Sequence, residues 1–439
     1  MIRNQLLEFM RRIGPESVAI LASAPETPRS NDTFYRYRQD SDFFYLTGFG
    51  EPEAIAVVSP SRENGRHKFT LFVRPRDPER AIWDGPRAGV EGAVEEFGAD
   101  EAFPIDEFPT RVEELLTNAR SLYYKIGAQP QLDQIVIPRL TSLRSQWRKN
   151  MTIPQSIVEP STVLHDMRLV KNEMELEVMQ RAADISAEAH REAMQKVRPG
   201  MREYELEAVV EYVFRKHGAQ APAYTSIVGG GPNAVILHYI NNDGVLRDGD
   251  LVLVDAGSEY QGYASDITRT FPINGRFTDA QRDIYELVLK AQTSTVDLVK
   301  PGISMDELNR HASEVLTKGM VELGLLSGDP AELMEAEKHK RFYPHKIGHY
   351  IGLDVHDVGS YHNGDRPRPL EPGIVVTIEP GVYVPADGDD VPEKYRGIGV
   401  RIEDDVLVTQ NGSKVLTSKV PKTIDEIEAL MRNHESDHQ

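Results

Sequence analysis

One pattern occurs twice in this chain, and it limits the possible folds more than anything else in the sequence. The segment "VRPGMREYELEAV" (197–209) matches "VKPGISMDELNRH" (299–311), with Pro-Gly and then Glu-Leu at the same offset. Further on, "LRDGDLVLVDAGSEY" (246–260) matches "LEPGIVVTIEPGVY" (370–383). In both, a Leu and a turn Gly precede an apolar strand, the strand ends in a carboxylate, and a Gly follows two residues later. Asp255 and Glu379 are therefore equivalent positions. A duplication of this length predicts two similar α/β halves related by pseudo-twofold symmetry, each sending one acid to a shared centre.

The position of those acids is unusual. Leu251–Val254 ("LVLV") reads as a buried strand, too short and too β-branched for a helix. An unpaired charge at the end of a buried strand is costly. The chain is then expected to turn and return, bringing Asp266 in "SDITRTF" and Glu403 in "GVRIEDDVLV". Between the halves, "PHKIGHYIGLDVHD" carries His345, His349 and His356. The candidates for a common centre are Asp255, Asp266, His349, Glu379 and Glu403.

Four carboxylates cannot share a small buried volume without cations. Two divalent metals resolve the conflict. Oxygen-rich ligation with a single imidazole points to Mn²⁺, with Co²⁺, Fe²⁺ and Zn²⁺ as alternatives. Two neighbouring metals can hold a bridging hydroxide and polarise a carbonyl, which is a hydrolase arrangement. The sequence contains no G-x-S-x-G, and its H-E-x-x-H match lies in the C-terminal polar stretch "RNHESDHQ".

Composition excludes other classes. The formal net charge of −19 argues against nucleic acid and anionic membrane surfaces and mildly favours cationic ligands such as a peptide ammonium group. With no cysteine, disulfides, thiolate sites and cysteine nucleophiles are ruled out. No apolar stretch approaches the ~20 residues needed to span a bilayer. Ile2, Leu6, Phe9, Met10 and Ile13 follow helical spacing ahead of the Val18–Leu21 run, so the amino terminus reads as a surface helix and a core strand rather than a signal peptide, and the expected location is cytoplasmic.

The domain boundary is expected near residue 170, giving domains 1–170 and 171–439. In the first, Val18–Leu21, Phe43–Thr47, Ala54–Val58, Lys68–Val73 and Ser121–Lys125 read as strands and Arg111–Ala119 as a helix, which predicts a mixed sheet with helices packed on it. Asn172 opens a long helix, with Glu175 as capping partner, that ends at Pro199-Gly200.

The ordered set "VDAG…SDITRTF…GHYIGLDVHD…TIEPGVY…RIEDD" closely resembles the pita-bread metallopeptidases, and within them the aminopeptidase P branch. The likeness extends to "YRYRQDSDFFYLTGFGEPEA" (35–54) and "EKYRGIGVRIEDD" (393–405). It implies a creatinase/prolidase-like α/β N-terminal domain and an α+β pita-bread catalytic domain. It implies release of the first residue of peptides whose second residue is proline. Asp255 would bind one metal, His349 and Glu379 the other, and Asp266 and Glu403 would bridge them. Glu379 would also accept a proton from the attacking water, and His356 would stabilise the oxyanion. His238, His345 and Arg401, with Tyr383 and Tyr224, would line the pocket. Asp32 and Trp83 resemble first-domain residues that approach a neighbouring subunit's site in this family, and a homotetramer built as a dimer of dimers is the expected assembly.

Other readings stand beside these. Prolidase shares the fold and ligands but takes only dipeptides. A pita-bread binding module without hydrolysis is a further alternative, although such modules typically lose ligands and all five are present here. Taken alone, Asp255 or Glu379 could be a turn former, His345 and His356 could be core histidines, and Arg401 could pair with Glu403 or Asp404. Gly229-Gly230-Gly231 is expected as a turn beside the pocket, Trp83 in a Gly/Pro-containing loop, and "RNHESDHQ" as a polar tail.

Overall fold

The computed structural model describes residues 2–60, 68–146 and 151–436. The chain divides into two compact units, Met1–Arg168 and Leu169–Gln439. Residues 437–439, the end of the expected polar tail, lie outside the described residues.

The first unit is built on a six-stranded mixed sheet in the order Glu101–Pro104, Lys68–Val73, Ile55–Ser59, Ser17–Ala22, Ser121–Tyr124, Ser156–Val158. Ser17–Ala22 runs antiparallel to Ile55–Ser59 and parallel to Ser121–Tyr124. Val18, Ile20, Val57 and Phe72 of the sheet bury against Phe108, Val112 and Leu116 and against Leu132, Val136 and Leu140 of two helices. The amino-terminal helix spans Ile2–Ile13, as its spacing predicts.

Two expectations for this unit are corrected. Residues 43–47 are not a strand but part of the helix Ser41–Thr47. Asp40 caps it by accepting the Phe43 N–H at 2.9 Å, and Gly48, at φ 63°, closes it by donating to the Phe44 carbonyl. A short apolar run does not distinguish helix from strand, and here the two caps decide. Trp83 lies not in a loop but in the short helix Pro78–Asp84, opened by Asp77, none of whose residues is buried.

In the second unit the duplication is visible atom by atom. The helix Glu173–Lys196, opened by an Asn172/Glu175 capping box, and Glu203–Lys216 form the first helix pair. Asp279–Val296 and Met305–Glu322 form the second. The Gly200 N–H donates to the Leu246 carbonyl and the Gly302 N–H to the Leu370 carbonyl, both at 2.8 Å. The same pairs return through Leu246 N–H to Met201 O and Leu370 N–H to Ile303 O. Both glycines sit at φ 93°, a conformation that suits no other residue as well.

Each half then lays an acid-bearing strand beside its return strand. Leu251–Asp255 pairs antiparallel with Thr268–Pro272 on one side and Ile227–Gly230 on the other. Val375–Ile378 pairs antiparallel with Asp404–Thr409. Asp255 and Glu379 thus stand at the carboxyl ends of outgoing strands, and Asp266 and Glu403 stand just before the return strands. The halves join where the Glu403 N–H donates to the Thr268 carbonyl at 3.0 Å and Thr270 exchanges hydrogen bonds with the Arg401 backbone. The expected Gly229–Gly231 turn is instead the end of strand Ile227–Gly230, followed by a 3-10 turn at Gly231–Val235.

Two glycines make the strand ends close enough. A Cβ on Gly257 would sit 1.7 Å from the Ser265 carbonyl oxygen, and one on Gly348 would sit 1.9 Å from that of Thr377. In each case the obstacle is backbone and cannot swing aside. Gly257→Ala and Gly348→Ala are each expected to destabilise the second unit by roughly 3 kcal/mol or more, as overpacking against rigid backbone does. Urea titration checks this, and a loss below about 1 kcal/mol would mean that these turns can relax.

Candidate active site

A cavity of about 440 Å³ opens where the two halves meet. Asp255, Asp266, His349, Glu379 and Glu403 line it together with His238, His345, His356, Arg401 and Tyr224. Tyr383 lies behind this wall, hydrogen-bonded to both His345 and Arg401. Asp32 and Trp83 belong to the first unit. Asp32 is exposed in the turn between Pro28–Ser30 and Thr33–Phe34, and Trp83 is 82% exposed.

The acids are held by specific donors. The Tyr224 hydroxyl reaches Asp255 Oδ1 at 2.6 Å and also lies within hydrogen-bond distance of Asp266 Oδ1. Arg401 Nη2 donates to Asp255 Oδ2 at 2.6 Å, so this arginine pairs with neither Glu403 nor Asp404. Thr268 donates its hydroxyl to Glu403 Oε2 at 2.6 Å. His349 Nδ1 faces the Tyr350 carbonyl at 3.0 Å, which fixes the proton there and leaves Nε2 turned inward. That Nε2 is 3.5 Å from Asp266 Oδ2 and 3.6 Å from Glu379 Oε1.

The electrostatics follow from burial and crowding. Burial, reinforced by Asp266 and Asp255, raises Glu379 to about 7 against the pull of His349 and Arg401. Burial and the neighbouring carboxylates of Asp266, Glu379 and Asp255 hold Glu403 well above the usual carboxylate range. Asp266 is raised by burial and by Asp255. Burial opposes charge on His349, but Asp266 and Glu379 outweigh it and lift the imidazole to about 9. Burial and Arg401 depress His345 to about 4, and burial and His349 lower His356.

These residues fit divalent metal. One ligand atom each from Asp266, His349 and Glu403 can be chosen so that all lie within 4.8 Å of one another. The imidazole is oriented by a backbone carbonyl, as metal-binding histidines usually are. The carboxylates resist ionising together, a conflict that bound cations relieve.

Comparison with known proteins places the chain. A model described as metallopeptidase family M24 matches residues 177–410, and one described as aminopeptidase P, N-terminal domain, matches residues 3–123. The chain belongs to metallopeptidase family M24. The resemblance read from the sequence is borne out, and so is the two-part fold. The Xaa-Pro aminopeptidase of Escherichia coli (strain K12) is 47% identical over 429 residues, covering 98% of this chain and 96% of its own. The structure of Pseudomonas aeruginosa aminopeptidase PepP matches with a TM-score of 0.96 and 50% identity, over 99% of this chain and 98% of that one. Zn-substituted E. coli aminopeptidase P in complex with product matches with a TM-score of 0.95 and 45% identity, again over 99% and 98% of the two chains. Human Xaa-Pro dipeptidase is 35% identical over 98% of this chain and 92% of its own length.

Several residues of this M24 site were not singled out from the sequence. Thr268, which holds Glu403, and Arg269, which holds the Glu403 carbonyl at 2.6 Å, both lie inside the quoted "SDITRTF". Asp405, one of the two acids after Glu403, is buried and accepts the Asp266 N–H at 3.1 Å. The signal for each was a polar residue inside a strand that is buried on both faces.

The site predicts an unusual pH dependence of stability. Above about 6.5 an unfolded imidazole has lost its proton, whereas folded His349 keeps one up to about 9. Glu379, near 7, and Glu403, held well above the usual carboxylate range, also retain protons that unfolded carboxyls have released. The folded state therefore binds more protons, and stability falls as pH rises. His190 and His345, both near 4, are neutral in both states across this range and do not oppose the trend. Metal-stripped protein is expected to lose ~2 kcal/mol between pH 6.5 and 9, and Mn²⁺ is expected to abolish the loss by replacing the protons. Denaturation of stripped and reloaded protein checks this; a stripped protein that gains stability with pH would contradict it.

Proposed function

We propose that this chain is a metallo-aminopeptidase that hydrolyses the bond between an N-terminal residue and a penultimate proline. The observation that carries the reading is the convergence of Asp255, Asp266, Glu379 and Glu403 from matched positions in the two halves, together with His349, on one cavity. The 47% identity to an Xaa-Pro aminopeptidase over nearly the whole chain supports the substrate class.

Two divalent cations, Mn²⁺ by the hardness of the donor set, would be held by Asp255 on one, His349 and Glu379 on the other, and Asp266 and Glu403 between them. Bound there, they supply Lewis-acid polarisation of the scissile carbonyl and acidify a water. The protein's own groups do the rest. Glu379, which lines the cavity with Oε1 3.6 Å from His349 Nε2, is placed to take the water's proton. His356, solvent-accessible at the cavity and edge-on to His349 with ring centroids 4.3 Å apart, is suited to donate to the developing oxyanion. His345 offers its ring: Nδ1 is engaged with the Lys346 carbonyl and Nε2 with the Tyr383 hydroxyl, each at 2.8 Å. A ring face suits proline, whose amide has no N–H to recognise.

The second reading, a dipeptidase, is favoured by the 35% identity to human Xaa-Pro dipeptidase. Rates on Xaa-Pro and Xaa-Pro-Yaa peptides with added Mn²⁺ separate the two. The aminopeptidase reading expects turnover of the longer peptides, loss with a chelator and recovery with Mn²⁺. Full activity in metal-free enzyme would rule both out. His356→Ala is expected to lower kcat by about 10²–10³ with metal content unchanged, as removal of an oxyanion donor does. Equal loss of metal and activity would make it a ligand or structural residue instead.

The proposal extends to assembly and location. The adjacent Ile82 and Trp83 are 84% and 82% exposed, an apolar pair suited to an interface. A homotetramer, with Asp32 and Trp83 approaching a neighbour's site, accounts for that exposure. The absence of cysteine is compatible with a cytoplasmic enzyme. Trp83→Ala is expected to impair cleavage of longer peptides more than of Xaa-Pro dipeptides. A monomer by light scattering at micromolar concentration, with full peptidase activity, would refute the assembly.

A further inference from the structure

Past the 3-10 turn Gly231–Val235, residues 236–244 form neither helix nor sheet, yet Leu237, His238 and Ile240 line the cavity. A segment without a ladder of its own must be fixed by something else. Glu203, fully buried at the start of helix Glu203–Lys216, accepts four hydrogen bonds from residues 230–244, two of them from this stretch. Its Oε1 takes the Gly230 N–H at 2.8 Å and Asn233 Nδ2 at 2.9 Å, and its Oε2 takes the Tyr239 hydroxyl at 2.8 Å and the Gly244 N–H at 2.7 Å. Among the described residues no cationic side chain pairs with it, so these neutral donors carry the burden of solvating its charge. A Cβ on Gly244 would sit 2.9 Å from Glu203 Cδ, which explains a glycine there. Asn242, buried at φ 49°, adds a second tie through Val228 N–H and the Ser226 carbonyl.

The duplication shows what this carboxylate is for. Glu203 corresponds to Met305 in the second half, where the equivalent helix forms without an acid at that position. The shared fold therefore does not require it.

We propose that Glu203 is a positioning residue that clasps 230–244 so that Leu237, His238 and Ile240 present a fixed wall to the part of the peptide beyond the scissile bond. This rests on the peptidase reading above. Glu203→Gln keeps the size but sets an amide N–H₂ against two donors. It is expected to raise KM for Xaa-Pro-Yaa about tenfold, to change kcat less than threefold, to leave metal content intact, and to speed amide exchange in 230–244 but not in 251–255. Gly244→Ala, which displaces the carboxylate without removing it, should act in the same direction, and Tyr239→Phe should do so more weakly. These two keep the test alive if Glu203→Gln does not fold. Unchanged KM, or metal and kcat lost together, would overturn the proposal. If the unmodified enzyme cleaves no Xaa-Pro peptide, the substrate class falls, and exchange in 230–244 still decides the clasp: unchanged exchange in the folded variants overturns it.

Discussion

Four carboxylates drawn into one buried cavity repel each other, and much of the second unit is arranged around that repulsion. Each acid sits at or beside a strand end, where antiparallel pairing of the outgoing and return strands holds it in place against its neighbours. Neutral donors take part of the charge: Tyr224 serves Asp255 and Asp266, and Thr268 serves Glu403. One cation, Arg401, meets Asp255, and His349 leans between Asp266 and Glu379. One guanidinium and one imidazole do not balance four carboxylates in a low-dielectric site. The residual imbalance appears as the lowered acidities of Asp266, Glu379 and Glu403, and it suits the pocket to a cation rather than an anion or neutral ligand.

Holding the two halves together against this repulsion falls to Arg269. It is completely buried and donates to the Thr268 carbonyl at 3.0 Å, the Glu403 carbonyl at 2.6 Å and Asp404 Oδ1 at 2.7 Å. It thereby ties the return strand of one half to that of the other, beside Asp266 and Glu403. Asp404 is in turn held by Lys422 at 2.8 Å, Gln292 at 2.8 Å and Thr417 at 2.7 Å. Burial opposes its charge, but Arg269 and Lys422 outweigh that and keep the carboxyl below its usual range. A buried network satisfied at this many points specifies one arrangement, and removing a single member leaves a charge stranded.

The acids that meet in the cavity were legible in the sequence because their signal is local. An acid closing an apolar strand, with glycine two residues on, is a short pattern, and its recurrence identified Asp255 and Glu379 without any contact being known. Residues 43–47 were misread because "FFYLT" has no periodicity strong enough to outweigh its caps, Asp40 and Gly48, which lie outside the run. Arg401 was legible as a pocket residue but not as the partner of Asp255, since the two are 146 positions apart and nearer acids compete on paper. Glu203 entered the reading only as one letter of the repeat. Its partners span residues 230 to 244, and no spacing rule connects a helix start to an irregular segment that far along the chain.

The departures from symmetry carry as much information as the symmetry itself. Both halves contribute an outgoing and a returning acid, so the carboxylate set of the site is common to them, with His349 added by the second half alone. What differs is what surrounds it. The first half adds the 230–244 segment with its buried acid, and the second adds His345, locked by a directional chain in which Arg401 Nη1 donates to the Tyr383 oxygen at 2.9 Å and the Tyr383 hydroxyl donates to His345 Nε2 at 2.8 Å. That chain holds the imidazole neutral and spends both of its nitrogens, so this wall can recognise shape but not hydrogen-bond donors. In the proposed reaction the symmetric core would do the hydrolysis, and these two unsymmetric walls would choose the peptide. Substitutions in the walls should therefore move substrate preference while leaving metal binding alone, whereas substitutions at the seam should move both together.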